Sequence, residues 1–222
     1  MDPLTALAAG LIAFLIGSIP TGFLVAKAKG VDIRQHGSGN IGATNVFRTL
    51  GKPLGIFVFA VDALKGWCAV WLGEHWGTGD AATWLGITAA VCVIAGHNYT
   101  PWLGFKGGKG IATSAGVLLA LMPLAVGIIV LVWIVVFQVS RYVSLASVAA
   151  AASLPLAVAA LWQFGAGGNG PLLGFSLVIS ALAIWRHRTN IQRLRSGTES
   201  RFVRGKKSVS YTHLTLPTIY SV

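Results

Sequence analysis

Three stretches of the chain gather residue types that handle phosphate and protons. The first runs His36-Gly37-Ser38-Gly39-Asn40-Ile41-Gly42-Ala43-Thr44-Asn45-Val46-Phe47-Arg48. Glycines alternate there with Ser, Asn and Thr, a pattern that can curl backbone N–H groups around an anion. Arg48 adds a planar, permanently charged group suited to a phosphate. The second runs Gly96-His97-Asn98-Tyr99-Thr100-Pro101-Trp102-Leu103-Gly104-Phe105-Lys106-Gly107-Gly108-Lys109-Gly110-Ile111-Ala112-Thr113. Gly107, Gly108, Lys109 and Gly110 directly before a helix start make a phosphate cradle, with backbone amides and helix dipole favouring an anion and Lys109 supplying charge. It is not a nucleotide-hydrolysing loop of the Walker type, because no Ser or Thr follows Lys109. The third is His187-Arg188-Thr189-Asn190-Ile191-Gln192-Arg193-Leu194-Arg195-Ser196-Gly197-Thr198-Glu199. His187 and Asn190 are three apart and share a face of a continuing helix. A histidine at a membrane boundary can act as base or donor.

Each stretch also has a plainer reading. A Gly/Ser/Asn run is an ordinary turn-rich loop. Lys106 and Lys109 can mark only the side of a membrane. For Arg186, Arg188, Arg193 and Arg195 the plainer reading is preferred: an interfacial anchor for anionic lipid. Tyr142, Ser144 and Ser147 open a later apolar run and either line a polar site or cap a helix. His97 stands beside an aromatic run (Tyr99, Trp102, Phe105) and can equally be a belt residue. His75 and Asp80 have the spacing of an acyl-thioester transferase motif. They sit in the one acidic loop, apart from the three stretches, and are read as a decoy.

The elements that must position these groups are membrane helices. Charged residues are only 10% of the 222, against about a quarter in soluble domains. The mean hydropathy is +0.72. The net charge of +11 is dispersed between apolar runs and in the tail, so it reads as topology and lipid or phosphate contact, and not as a nucleic-acid surface. Cys68 and Cys92 sit in apolar runs without metal spacing and read as packing residues; no metal or cofactor is expected.

The apolar runs are Leu4 to Ala26, Leu54 to Leu72 (containing Asp62 and Lys65, placed to pair), Thr83 to Ala95, Ile111 to Val139, Val143 to Leu161 and Pro171 to Trp185. The fourth is too long for one span: ~43 Å as a helix against a hydrocarbon core of ~30 Å. Pro123 near its middle predicts two short helices meeting at Met122 and Pro123. The loops carrying Lys27, Lys29, Arg34, Arg48 and Lys52, then Lys106 and Lys109, then Arg141, and the basic tail from Arg186, all fall on one side if there are seven spans. The expectation is an all-α polytopic membrane protein of about seven spans, N-terminus outside and C-terminus cytoplasmic. Gly10, Gly17, Gly22, Gly55, Gly66, Gly86, Gly116 and Gly127 are expected at close helix contacts.

Taken together, Ser-Gly-Asn-Ile-Gly-Ala-Thr-Asn-Val-Phe-Arg (38–48), Gly-His…Gly-Phe-Lys-Gly-Gly-Lys-Gly-Ile-Ala-Thr (96–113) and His-Arg-x-Asn-Ile-x-Arg-Leu…Gly-Thr-Glu (187–199) resemble the bacterial acyl-phosphate:glycerol-3-phosphate acyltransferases (PlsY). The resemblance covers roughly residues 4 to 201. It implies a seven-helix enzyme of the bacterial inner membrane, its active site facing the cytoplasm. The reaction implied is acyl transfer from acyl phosphate to the 1-hydroxyl of sn-glycerol 3-phosphate, giving lysophosphatidate and inorganic phosphate, the first acylation of phospholipid synthesis. Ser38, Arg48, Lys109, His187 and Asn190 are implied as catalytic. Gly39, Asn40, Gly42, Thr44, Asn45, His97, Gly107, Gly108, Gly110, Thr113, Ser144 and Ser147 are implied as substrate- or phosphate-binding, and Glu199 as structural. The partners expected are the two substrates and membrane lipid, without nucleic acid; the oligomeric state is open, and a monomer is compatible. No Ser or Cys is flanked by a base suited to a covalent relay, so direct attack is expected, the proton going to His187 or to a substrate phosphate. The competing class is a transporter for an anion or polyol phosphate, with Asp62 and Lys65 as the intramembrane charges in its favour. One membrane domain is expected over 1–207. The uncharged tail Ser208 to Val222 matches nothing in the family and is left out of the fold.

Overall fold

The structure is a computed structural model and describes residues 2–202. Residues 203–207 and the tail Ser208 to Val222 lie outside the described residues. The described chain is helical from end to end: α1 (Pro3–Ser18), α2 (Thr21–Ala28), α3 (Ala43–Leu50), α4 (Lys52–His75), α5 (Asp80–Asn98), α6 (Ile111–Leu121), α7 (Pro123–Ser140), α8 (Val143–Gln163), α9 (Gly170–Arg186) and α10 (Arg188–Arg195). Asp2 caps α1, its carboxylate accepting from the Thr5 amide at 2.9 Å, and Asn169 caps α9 in the same way through Leu172.

Among the described residues, five segments are long and apolar enough to cross a membrane: Pro3–Ala28, Lys52–His75, Asp80–Leu103, Pro123–Ser140 and Val143–Gln163. The bent pair α9–α10, angled by 53°, makes a sixth. The long apolar stretch breaks at Pro123, as its length requires. The first half, α6, has only 11 residues and as a helix reaches about half of the hydrocarbon core. The first span is also interrupted. Pro20 has no N–H, so α1 stops at Ser18 and α2 restarts at Thr21. At the break the Ile19 carbonyl accepts from the Thr21 amide at 3.0 Å and keeps a second lone pair for a partner elsewhere.

Glycines set how closely the helices approach. α1 packs along α5, and α4 lies between α5 and α6. At the first crossing a Cβ on Gly17 would strike the Val93 carbonyl, and one on Gly96 the Phe14 carbonyl. At the second, Gly66 and Gly116 face Thr113 and Ala63 in the same manner. Backbone meets backbone there, the arrangement by which helices pack in lipid. Gly127 departs from that expectation, having nothing within 4 Å of its would-be Cβ. It lies on α7, whose Leu124, Leu131, Val135 and Val139 are exposed, so the helix presents an apolar face to lipid and not to a neighbour.

The main core is built from Val70, Val93, Ile94, Val117, Leu154 and Ile179 on α4, α5, α6, α8 and α9. A second, smaller core of Ala26, Ile33, Ile41, Val46 and Val58 sits beneath the segment that joins α2 to α4. That core anchors the first polar stretch against α4.

Candidate active site

All three polar stretches face one cavity of about 760 Å³. Ser38, Asn40, Gly42, Thr44 and Arg48 line it from the first, His97, Lys109 and Gly110 from the second, and His187, Asn190 and Glu199 from the third. Ser144 and Ser147 on α8 complete the polar part. The rest of the wall is apolar: Phe47, Ile56, Phe59, Trp133, Phe137 and Phe202.

Two helix N-termini open onto this space, α3 through Gly42, Ala43 and Thr44, and α6 through Gly110, Ile111 and Ala112. The first amides of a helix have no intrahelical acceptor and carry the positive end of its dipole, so each end suits an anion. The loop before α3 holds its shape through Asn45. Its Nδ2 donates to the carbonyls of Ile33, His36 and Asn40 at 3.2, 2.9 and 2.8 Å, and its Oδ1 accepts from the Ser38 amide at 3.0 Å. Asn45 also borders the cavity, and its side chain organises the loop. Asn40 accepts from the Gly42 amide at 2.8 Å. Gly39 has φ +70°, which lets the chain reverse between Ser38 and Asn40.

The loop before α6 is held differently. The Gly107 amide donates to the Asn98 carbonyl and the Gly108 amide to the His97 carbonyl, each at 3.1 Å. These two amides cap the end of α5 and do not point at a ligand. Their glycines are required by packing instead: a Cβ on Gly107 would meet the His97 carbonyl, and one on Gly108 the His97 ring. The anion donors on this side are therefore Lys109 and the α6 terminus. Thr113 is fully buried, its hydroxyl without a partner among the described residues and away from the cavity.

Glu199 ties the third stretch together. Its Oε1 accepts from Ser144 at 2.8 Å and from Asn190 Nδ2 at 2.7 Å, and its Oε2 from Arg193 Nε at 2.9 Å. Burial raises the Glu199 carboxyl, but the bonds from Asn190, Arg193 and Ser144 outweigh it and hold the pKa below the usual value. With its amide nitrogen held, Asn190 turns Oδ1 to the Lys109 ammonium. Burial, then Arg193, lowers the Lys109 pKa to about 8, against the pull of Glu199. Arg48 donates to the Ser200 carbonyl at 3.0 Å and lies 5.0 Å over the Phe202 ring. Burial lowers its pKa too, but an arginine stays charged. His187 sits at the α9–α10 bend, and its Nδ1 donates to the Ala183 carbonyl at 2.8 Å. A carbonyl only accepts, so the proton is on Nδ1 and Nε2 carries the lone pair.

Three residues escaped the sequence reading. Arg186, read there as a lipid anchor, turns inward. Its Nη2 donates to the Gly108 carbonyl, with Asn98 and Gly107 carbonyls at 3.4 Å, and its guanidinium lies over Tyr99. Arg193 is likewise committed to Glu199. Phe202 packs on Phe47 and Phe137 at 5.5 and 5.8 Å, and its amide donates to the Arg141 carbonyl at 2.9 Å. His75 stacks 4.0 Å from Trp71, and neither it nor Asp80 lines the cavity. Asp62 and Lys65, the intramembrane charges that favoured the transport reading, pair with each other at 2.7 Å.

The chain is similar over residues 7–197 to the glycerol-3-phosphate acyltransferase family model. Relatives bearing that name include the Geobacter metallireducens protein, 53% identical over 86% of this chain and 94% of the relative. The Desulforamulus reducens protein is 51% identical over 84% and 90%. Among solved structures, the crystal structure of PlsY (YgiH), an integral membrane glycerol 3-phosphate acyltransferase, in its glycerol 3-phosphate form superposes with a TM-score of 0.80. It is 43% identical, covering 89% of this chain and 96% of that one. The lysophosphatidic acid form gives 0.78 at 42% identity. With half of its residues shared with such relatives along nearly their whole length, the chain belongs to the glycerol-3-phosphate acyltransferase family, the PlsY family of integral membrane enzymes.

Proposed function

We propose that the chain transfers an acyl group from acyl phosphate to the 1-hydroxyl of sn-glycerol 3-phosphate, releasing lysophosphatidate and inorganic phosphate, on the cytoplasmic side of a bacterial inner membrane. One observation carries this reading: two helix N-termini, Arg48, Lys109 and His187 share a single cavity with a wall of Phe47, Ile56, Phe59, Trp133 and Phe137. Two anion sites suit two phosphate groups, and the aromatic wall suits a fatty chain entering from the bilayer.

The hydroxyl oxygen attacks the acyl carbonyl carbon. Its proton passes to the Nε2 lone pair of His187, and the bond from the acyl carbon to the phosphate oxygen breaks, so that phosphate leaves with that electron pair. Arg48, Lys109 and the amides of α3 and α6 stabilise the phosphate charges, including the one that grows on the leaving group. Asn190 aims Lys109, and Glu199 holds Asn190 and Ser144 in place. Ser38 and Ser147 offer hydroxyls to the glycerol or phosphate oxygens. Asn45 and Asn40 act on the loop and through it on the α3 terminus.

The test is an assay of the purified protein in lipid with acyl phosphate and glycerol 3-phosphate, following phosphate and lysophosphatidate together. Equal formation of both is expected. Product from an acyl thioester but none from acyl phosphate overturns the donor assignment. Labelling that puts the loops at 36–48 and 104–110 outside the cell overturns the sidedness.

A further inference from the structure

A buried ion pair adds little net stability, because loss of water offsets the attraction between the charges. Asp62 and Lys65 are 2% and 7% exposed and sit in the middle of α4. Their environment gives the pair another use. The Lys65 ammonium has three hydrogens, and the structure supplies three acceptors: the Ile19 carbonyl at 2.9 Å, Asp62 Oδ1 at 2.7 Å and His97 Nδ1 at 3.0 Å. The first of these lies at the Pro20 break in the first span, where the carbonyl accepts from the Thr21 amide and from Lys65 together. Asp62 Oδ1 also accepts from Thr21 Oγ1 at 2.9 Å, which fixes the carboxylate in turn. An ammonium only donates, so His97 Nδ1 must present its lone pair. The ring proton is therefore on Nε2. That nitrogen lies against Gly108 on a side chain that lines the cavity, and it has no hydrogen-bond partner among the described residues.

We propose that the intramembrane Asp62–Lys65 pair is a positioning device that locks His97 in its Nε2–H form, so that a neutral imidazole donates a hydrogen bond to a phosphate oxygen of a bound substrate beside the α6 terminus. Asp62 and Lys65 are positioning residues; His97 is the group that touches substrate. The proposal rests on the cavity being the acyl-transfer site described above, but the state of the ring does not depend on turnover. Arg186, the other cation near His97, is occupied by the loop carbonyls and does not compete for Nδ1.

The experiment uses the full chain in lipid nanodiscs with 15N-labelled histidine. In the wild type, His97 is expected to show a protonated, pyrrole-type Nε2 and a lone-pair, pyridine-type Nδ1, and titration with inorganic phosphate is expected to shift the Nε2 signal. The double variant D62N/K65M removes both charges together and leaves no buried charge unpaired; its ring is expected to lose that single form and populate the other. A pyrrole-type Nδ1 in the wild type, or an unchanged ring in the folded double variant, overturns the proposal. Kinetics supply the second readout. His97→Leu is expected to raise KM for one of the two phosphorylated substrates about tenfold with a smaller change in kcat, and His97→Gln, whose amide nitrogen can replace the Nε2 donor, to recover most of that loss. The substrate whose KM moves identifies the phosphate that is held. Unchanged KM for both, or no rescue by Gln, overturns the assignment. An Nε2–H ring that responds to phosphate in a protein without acyl transfer would instead sink the reaction and leave the lock standing.

Discussion

Two histidines look into one cavity, and they are held in opposite ways. His187 gives its Nδ1 hydrogen to the carbonyl of its own helix four residues back, which leaves Nε2 as an acceptor. His97 takes a hydrogen on Nδ1 from Lys65, which leaves Nε2 as a donor. The first needs only a helix end. The second needs an ion pair, a broken first span and a threonine, all inside the membrane. The same ring becomes a base or a donor according to what grips its far nitrogen.

The largest effect should come from the base. His187→Ala is expected to lower kcat by about 10²- to 10⁴-fold, the usual worth of a positioned general base, with KM nearly unchanged. The contrast with a KM effect at His97 is the sharpest form of the comparison. A silent His187→Ala assigns the proton to a substrate phosphate and removes the distinction between the rings.

Next in size is the pH response of the cation between them. Lys109 titrates at about 8 in the free enzyme, lowered first by burial and then by Arg193. A lowered lysine is charged below its pKa and neutral above it. Consequently kcat/KM for glycerol 3-phosphate or acyl phosphate should fall as pH rises through about 8, separately from the acid limb on which His187 gains a proton and stops acting as a base. A bound phosphate favours the ammonium, so kcat should keep its plateau to higher pH. Lys109→Arg should remove the alkaline fall, since a guanidinium does not titrate there. A wild-type profile flat well beyond that point, or one that falls at the same pH in the Arg variant, would rule out Lys109 as the titrating group.

A smaller effect tests how the loop bears on His97. Gly108→Ala pushes a methyl into the ring at Nε2. Gly104→Ala strains a residue of the same loop at φ +61° by about 1–2 kcal/mol, with nothing within 4 Å of the added methyl. Thermal stability of both should fall by similar amounts. Only Gly108→Ala should raise the same KM as His97→Leu. Equal kinetics for the two would mean that the loop, and not the donor, is what the substrate senses.

Much of this was legible in the sequence for physical reasons. The three polar stretches interrupt apolar runs where loops must surface, and Pro123 divides a run too long for one span. What stayed hidden was the direction of side chains. Arg186 follows an apolar helix as a lipid anchor would, and nothing in its spacing says that it turns to the Gly108 carbonyl. Gly107 and Gly108 have the composition of an anion cradle, but their amides close the end of α5, because that helix leaves carbonyls free beside them. Asn45 reads as a ligand by type, and its work as a staple is visible only in the geometry. Phe202 lies past the last motif, and only the fold brings it against Arg48. The pairing of Asp62 with Lys65 follows from their spacing, whereas the Ile19 carbonyl and His97 come from other helices and have no local signature.

The smallest effect belongs to a histidine that takes no part. His75 closes α4 at the end away from the cavity, its Nδ1 on the Trp71 carbonyl at 2.8 Å and its ring against the Trp71 indole. Its spacing to Asp80 imitates a catalytic dyad, but Asp80 begins α5 and the two do not bond among the described residues. His75→Ala should leave kcat and both KM values unchanged and shift stability within about 0.5 kcal/mol, as for a surface position. If it lowers kcat with an acyl-thioester donor while the acyl-phosphate rate is untouched, the protein has a second acyl-transfer site at its other end. The pair of rings in the cavity would then account for only one of its reactions.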